Sequence, residues 1–462
     1  MQPAVVIRLR PAGPWRCGVG IGQGQVESAF RSDRLYSAVT LAMQRLDLLG
    51  EWLDATALSQ TPAVVFSSLF PFQGDTLFAP PPASLWPPPA NLLTSPSPVF
   101  LSKMRWGAAQ YVPLPVTESL LLSQPLLADQ WIVDGESGCL LRRDRPSTAP
   151  FRYSTRTGAA VDRVSETSGV PRTVACIEFE SGSGLWGVAR FADEAAEATW
   201  GERVQSAFRL LADSGFGGRR SSGWGQSSAP EFERGDWPKL LLPKLAGARR
   251  DASEPPSEEE QPSSFWLLSL YSPAPNDSVD WTSGDYRLVS RTGRVDSSQG
   301  SGATKKAVRM VAEGSVLSMR DEPVGVAVDV APENFSHRVY RAGFALACKL
   351  PPGEMPSRWK GPVETTPQTA LSDTPEGAAA PEEPEILSPC EPPTAAIDES
   401  ERPESAGEIE IPTLSAEAEV DVSHTPEAEG SAAPPEVSAE NTAVDEQTDG
   451  KAEEAGQEKD EV

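Results

Sequence analysis

Between Trp200 and Ala212 apolar residues recur at the helical spacing. Trp200, Val204, Phe208 and Leu211 share one stripe, and Gly215 stands where such a helix would stop. The same spacing through Leu35, Val39, Met43 and Leu46 predicts an earlier helix, with Ser32 as its N-cap and Asp33 favouring its dipole. Short apolar runs predict strands at Ala4–Arg10 and Val64–Phe72, and alternation predicts a hairpin of Thr173–Phe179 with Gly184–Phe191. Past residue 264 strands dominate: Phe265–Tyr271, Tyr286–Ser290, Ala307–Ala312, Ser315–Met319, Gly325–Val330 and Val339–Leu350. Both halves read as α+β units of the split βαβ type.

The connections carry most of the chemistry. Residues 215–225 read Gly-Phe-Gly-Gly-Arg-Arg-Ser-Ser-Gly-Trp-Gly. The glycines permit positive φ and close approach of a ligand to the backbone. Arg219, Arg220, Ser221 and Ser222 suit phosphate oxygens, and Trp224 suits the face of a base. A nucleotide P-loop does not fit, because Trp224 and Gly225 stand where Lys and Ser/Thr are needed after Gly218 and Gly223. The run from Cys17 to Gly24 also fails as a dinucleotide fingerprint: Gln25 occupies the third glycine position, and a structural turn is expected. Residues 142–172 hold Arg142, Arg143, Arg145, Arg152, Arg156, Arg163 and Arg172 around Tyr153. This is an arginine-rich insertion suited to lie along a polyanion, with a solvated loop as the alternative.

The formal charge of −26 argues against such a partner until it is located. Residues 361–462 hold 28 Asp and Glu against Arg402, Lys451 and Lys459, while residues 1–360 hold 38 acids and 37 bases and are close to neutral. With no aromatic residue and much Pro, Glu, Ala, Ser and Thr, the tail is expected to be disordered. The expected organisation is a first domain over 1–245, an acidic linker over 246–264, a second domain over 265–350 and a tail over 351–462. Five cysteines without a Cys-x-x-Cys pair suggest free thiols in a reducing cytoplasm. No apolar run approaches the ~18 residues of a membrane helix, and no signal peptide or membrane partner is expected.

The expected folded region has one histidine, His337, and no His, Cys, Asp or Glu cluster with metal-ligand spacing. No metal or cofactor is expected. Without a complete catalytic set the chain reads as a binding and assembly protein.

Taken in order, several stretches resemble the RAMP proteins of CRISPR effector complexes. They are Phe30-Arg-Ser-Asp-Arg-Leu-Tyr-Ser-Ala38, Leu69-Phe-Pro-Phe72, Val161-Asp-Arg-Val164, the loop Gly215–Gly225, Gly314-Ser-Val316 and Val339-Tyr-Arg-Ala-Gly343. More narrowly, residues 4–350 resemble the Csm-type (type III-A) subunit that caps the 5′ end of the guide RNA. That family has His before the Ser-Asp pair, where this chain has Arg31.

The resemblance implies two ferredoxin-like (RRM-like) domains and binding of the crRNA 5′ repeat-derived tag. It also implies docking on a large polymerase-like subunit and a backbone RAMP subunit, an indirect relation to target RNA, and no nuclease activity. On it, Gly217, Gly218, Arg219, Arg220, Ser221, Ser222 and Gly223 are expected to hold phosphates, with Trp224 stacking or packing below. Arg156 and Arg163 would lie on the arm, and Ser32 and Arg34 at a helix start open to a tag phosphate. The alternatives are a RAMP endoribonuclease that cuts repeat RNA through His337, and a glycine-loop nucleotide-binding protein.

Overall fold

The strand expected near the N-terminus forms as Gln2–Leu9 and lies inside a sheet rather than at its edge. Its apolar run Val5–Ile7 is buried, as a strand covered on both faces requires. The computed structural model describes residues 2–18, 26–94, 106–144, 148–159, 164, 171–251, 262–297 and 300–351, all within one unit that spans 1–368. The tail, the centre of the linker and most of the 17–24 glycine run lie outside the described residues.

The sheet order is Glu231–Trp237, Gln2–Leu9, Ser183–Phe191, Phe70–Gln73, Thr76–Ala79, Val112–Pro113. Neighbours are antiparallel, and Val64–Phe66 also pairs with Ser183–Phe191. Gly184 is needed in the central strand because a Cβ there would come 2.2 Å from Leu9 O of the neighbouring strand. Helices Ser32–Arg45 and Glu194–Ser214 contact each other and this sheet. Trp200, Val204, Phe208 and Leu211 are all buried, as their spacing predicts. Leu46 is not: it caps the first helix and is exposed. Ser32 is the first helical residue, and Arg31 occupies the N-cap position.

The expected hairpin pairs differently. Arg172–Phe179 bonds to Phe151–Gly158, whereas Ser183–Phe191 belongs to the large sheet. Alternation identified both strands but carries no information about the partner. The arginine-rich segment itself supplies one strand of this two-stranded ribbon. In the linker region a helix, Pro243–Asp251, continues past residue 246; the buried Glu118 carboxylate accepts from Lys244 N at 2.7 Å and Leu245 N at 3.1 Å. That carboxylate satisfies amides left over at the helix start.

In the second half a four-stranded antiparallel sheet runs Val279–Asp285, Val316–Met319, Ser263–Leu267, Ala347–Lys349. The long strand expected at Val339–Leu350 is two strands, Tyr340–Phe344 and Ala347–Lys349, in different sheets. The described residues thus form a mixed fold of mainly antiparallel sheets with a few helices.

The two halves share one core, which includes Trp266, Leu268, Phe344 and Leu346 beside residues of the first half. Polar contacts fix their register. Leu270 N donates to Ser32 Oγ at 2.9 Å, Ser68 N to Leu268 O at 2.9 Å, and Trp266 Nε1 to Pro80 O at 3.1 Å. At the centre the 1% exposed Asp33 carboxylate accepts from Arg291 at 3.1 and 3.0 Å and also from Arg341. Around it Arg31 bridges Glu27 at 2.8 Å and Glu313 at 2.6 Å, and Arg34 meets Glu27 at 2.9 Å. Burial pushes the Asp33 carboxyl up, but Arg291 and Arg341 outweigh it and hold the group below the ordinary carboxylate range.

Asp33→Ala would leave the buried Arg341 without its carboxylate and Arg291 with only the longer contact to Glu27 at 3.4 Å. The expected cost is about 3–5 kcal/mol in urea unfolding; a loss under ~1 kcal/mol would show that the junction does not depend on this carboxylate. A carboxyl with a lowered folded pKa stabilises above its unfolded value and loses that contribution as pH falls through the folded value. The difference between the native chain and Asp33→Ala should therefore persist at neutral pH and shrink on acidification below about pH 4.

Candidate nucleic-acid interface

The loop Gly215–Gly225 leaves the long helix through Gly215, whose φ of 71° lies in the left-handed region. Phe216 turns inward against Trp15 and Phe30, with ring centroids 4.5 and 4.9 Å apart. A Cβ on Gly225 would stand 2.1 Å from Phe216 O, one on Gly215 2.6 Å from Trp224 O, and one on Gly217 2.8 Å from Arg16 O. These three glycines let the loop pack tightly on backbone, its own at Gly215 and Gly225 and that of Arg16 at Gly217. Gly218 packs on the Arg16 side chain, and Gly223 alone of the five faces mostly open space.

That closure lifts the tip. Arg219 has a φ of 65° and starts a single 3-10 turn over Arg220–Ser222. Ser222 N donates to Arg219 O at 2.9 Å and Gly223 N to Arg220 O at 2.9 Å. Arg219, Arg220, Ser221, Ser222 and Gly223 are exposed, and Trp224 is half-buried behind them. The loop thus presents two cations and two hydroxyls on a fixed turn.

Behind the tip lies a cleft of about 650 Å³. Its walls carry seven cationic residues, Arg16, Arg34, Arg45, Arg220, Arg294, Lys305 and Arg341, against one acid, Asp33. One side belongs to the first half, with Gly217 and Gly218; the other is built by Thr292–Arg294, Thr304, Lys305, Tyr340 and Arg341. Arg34, Ala38, Leu41 and Arg45 line it from one edge of the first helix, at the spacing of a helical face. Arg16 is nearly buried; its Nη1 donates to Ala175 O at 2.6 Å. Burial and then the like charge of Arg219 lower its pKa from the ordinary value. Arg341 Nε is buried without a hydrogen-bond partner. Clustered guanidinium groups facing a cavity define an anion-binding surface.

The remaining expected residues separate. Arg34 reaches the cleft, though its Nη2 also donates to Gly18 O at 2.6 Å. Ser32 does not: it is buried, its N–H donates to Ser68 Oγ at 2.8 Å and its Oγ accepts from Leu270. The helix start on which a tag phosphate was expected is covered by the second half. Arg156 lies exposed on the ribbon, paired with Glu178, as is Arg152 at 3.0 Å. Arg163 lies outside the described residues. His337 is exposed, with Nδ1 2.8 Å from Arg338 O, and belongs to neither described cavity. Among the described residues no group of His, Cys, Asp and Glu could hold a metal ion, and no helix is long and apolar enough to cross a membrane.

Sequence reasoning missed Arg16, Arg45, Arg294, Lys305 and Arg341. For Arg45 a signal existed, since Arg34, Ala38, Leu41 and Arg45 are spaced as one stripe beside the apolar one. The others come from loops and short strands of distant segments, and pattern alone does not bring them together.

Residues 260–350 match the family model of the CRISPR Csm4 C-terminal domain. Over that segment the resemblance drawn from the sequence is borne out. Similar solved structures include the Csm1-Csm4 cassette crystallised with pppApA, 18% identical with a TM-score of 0.44, covering 76% of this chain and 99% of that one. Another is the Csm3-Csm4 subcomplex of the type III-A interference complex, 14% identical with a TM-score of 0.46, covering 76% of this chain and 100% of that one. No curated protein matches the chain.

Gly225→Ala should unseat the loop tip, because its Cβ collides with Phe216 O and its φ of 81° disfavours a side chain. A cost of about 1–3 kcal/mol is expected, together with faster tryptic cleavage after Arg219 and Arg220. Gly13→Ala, which meets nothing within 4 Å, is the control. Equal cleavage rates for the two variants would contradict the account of the loop.

Proposed function

We propose that this chain is a non-catalytic RNA-binding subunit of a type III-A CRISPR (Csm) effector complex, holding the 5′ repeat-derived tag of the crRNA. One observation carries the reading. The segment that matches the Csm4 C-terminal domain supplies one wall of the cationic cleft, and the other wall leads to the glycine loop. In this reading the two halves are two ferredoxin-like domains, with boundaries near residues 245 and 265. Arg219, Arg220, Ser221 and Ser222 contact phosphates at the mouth of the cleft, while Arg16, Arg34, Arg45, Arg294 and Lys305 continue the track inward. Trp224 supports the tip from below. The large polymerase-like subunit and a backbone RAMP subunit dock on other faces, target RNA is met only indirectly, and the complex works in the cytoplasm.

The chemistry supports single-stranded RNA over a small nucleotide. The cations are spread over a track from an exposed tip into a cleft, which fits successive phosphates along a strand. The repeat-cutting alternative gains nothing from the site, because His337 stands outside the cleft.

The test is RNA retention by the full chain, or by the complex isolated with it, across a salt titration. Arg219→Ala with Arg220→Ala should weaken retention and reduce the slope of log K against log salt by up to about 1.4, two phosphate contacts at ~0.7 each. An unchanged slope rules out the loop, and short RNAs without a shared repeat-derived 5′ end rule out the capping role.

A further inference from the structure

A second cavity, of about 540 Å³, lies beyond the same segment that walls the cleft. Phe30, Asp33 and Arg34 face the cleft, whereas Val26–Ala29 and Arg31 face the second cavity. Its lining is of another kind. Five aromatic residues contribute, Phe70, Trp86, Tyr111, Tyr153 and Tyr286, and the charges are three acids against two arginines. Two of those acids are already engaged: Glu27 by Arg31 and Arg34, Glu313 by Arg31 and Ser68. The third, Asp285, adjoins Tyr286.

The lining disfavours a phosphate: its three carboxylates outnumber Arg31, which is already paired, and Arg287. It suits a flat uncharged group with hydrogen-bond donors, because rings offer faces and carboxylates accept protons. The rings are held in place. Trp86 stacks on Trp106 at 5.5 Å and donates to its carbonyl at 2.9 Å, and Tyr111 Oη lies 2.6 Å from Ser28 Oγ. Two rings remain partly uncovered, Tyr153 at 40% and Tyr286 at 36%, one from the ribbon and one from the second half. Tyr286 is braced edge-on by Trp281 at 5.1 Å.

We propose that this cavity receives one unpaired nucleobase bearing an exocyclic amino group, from the strand whose phosphates lie in the cleft. The base stacks against Tyr286 and Tyr153, and its amino group donates to Asp285. The inference rests on the RNA-binding reading above, but it concerns selection of a base, which the cleft does not perform.

The experiment uses the full chain, or the complex that contains it, with tag-length RNAs carrying 2-aminopurine at one position at a time. Fluorescence should be quenched by stacking at one position. The quench should vanish in Tyr153→Ala/Tyr286→Ala, with about a tenfold loss of affinity for the RNA. At that position, purine lacking the amino group should bind more weakly to the native chain and no differently to the double variant. Tyr286→Leu, with its unfolding transition as control, guards against a folding defect, since both tyrosines are partly exposed. If the RNA binds with its full salt slope but no position shows a tyrosine-dependent quench, the base pocket is overturned and the RNA reading stands. If no RNA binds at any salt, both fall.

Discussion

The described structure depends on one buried carboxylate. Asp33 stands at the start of the first helix, yet its partners Arg291 and Arg341 lie in the second half, more than 250 residues along the chain. An isolated buried charge is costly, and two buried guanidinium groups without a counter-ion would repel each other. Asp33 compensates both guanidinium groups, with Glu27 a second, longer partner of Arg291, and this favours closure of the halves in one register. Ser32 and Ser68 strengthen that constraint: Ser32 Oγ accepts from the Leu270 amide, and the Ser68 amide donates to Leu268 O. A cationic cleft therefore exists as a consequence of closure: Arg341 bonds to Asp33 and lines the cleft at the same time.

This arrangement separates what could be seen in the sequence from what could not. The helical stripe at Trp200–Leu211 and the strand at Gln2–Leu9 were legible, because burial of one face imposes a period. The exposed tip at Arg219–Ser222 was legible too, as a cluster of polar side chains between glycines. The purpose of those glycines was not. Gly215, Gly217 and Gly225 serve backbone closure, which depends on atoms of Trp224, Arg16 and Phe216. Asp33 had an adequate local explanation as a dipole partner, and its distant arginines gave no sequence signal. The strand Arg172–Phe179 shows the same limit: alternation identifies a strand, but pairing with Phe151–Gly158 follows from topology.

Net charge misleads for a related reason. Residues 1–360 are nearly neutral, but their acids and bases are not mixed evenly. Glu178 holds Arg152 and Arg156 on the ribbon, Glu27 and Glu313 hold Arg31 at the junction, and the cleft keeps seven cations to one acid. Fields between exposed charges fade over about 8–10 Å at physiological salt. An anion in the cleft would therefore respond mainly to its walls, whatever the total over the chain. The same segment that builds the cationic wall turns its paired residues, Glu27 and Arg31, to the other side. The consequence is a division along a few residues: an unbalanced cationic surface suited to anions, and an aromatic one with nearly matched charges, where shape and hydrogen bonding decide what fits.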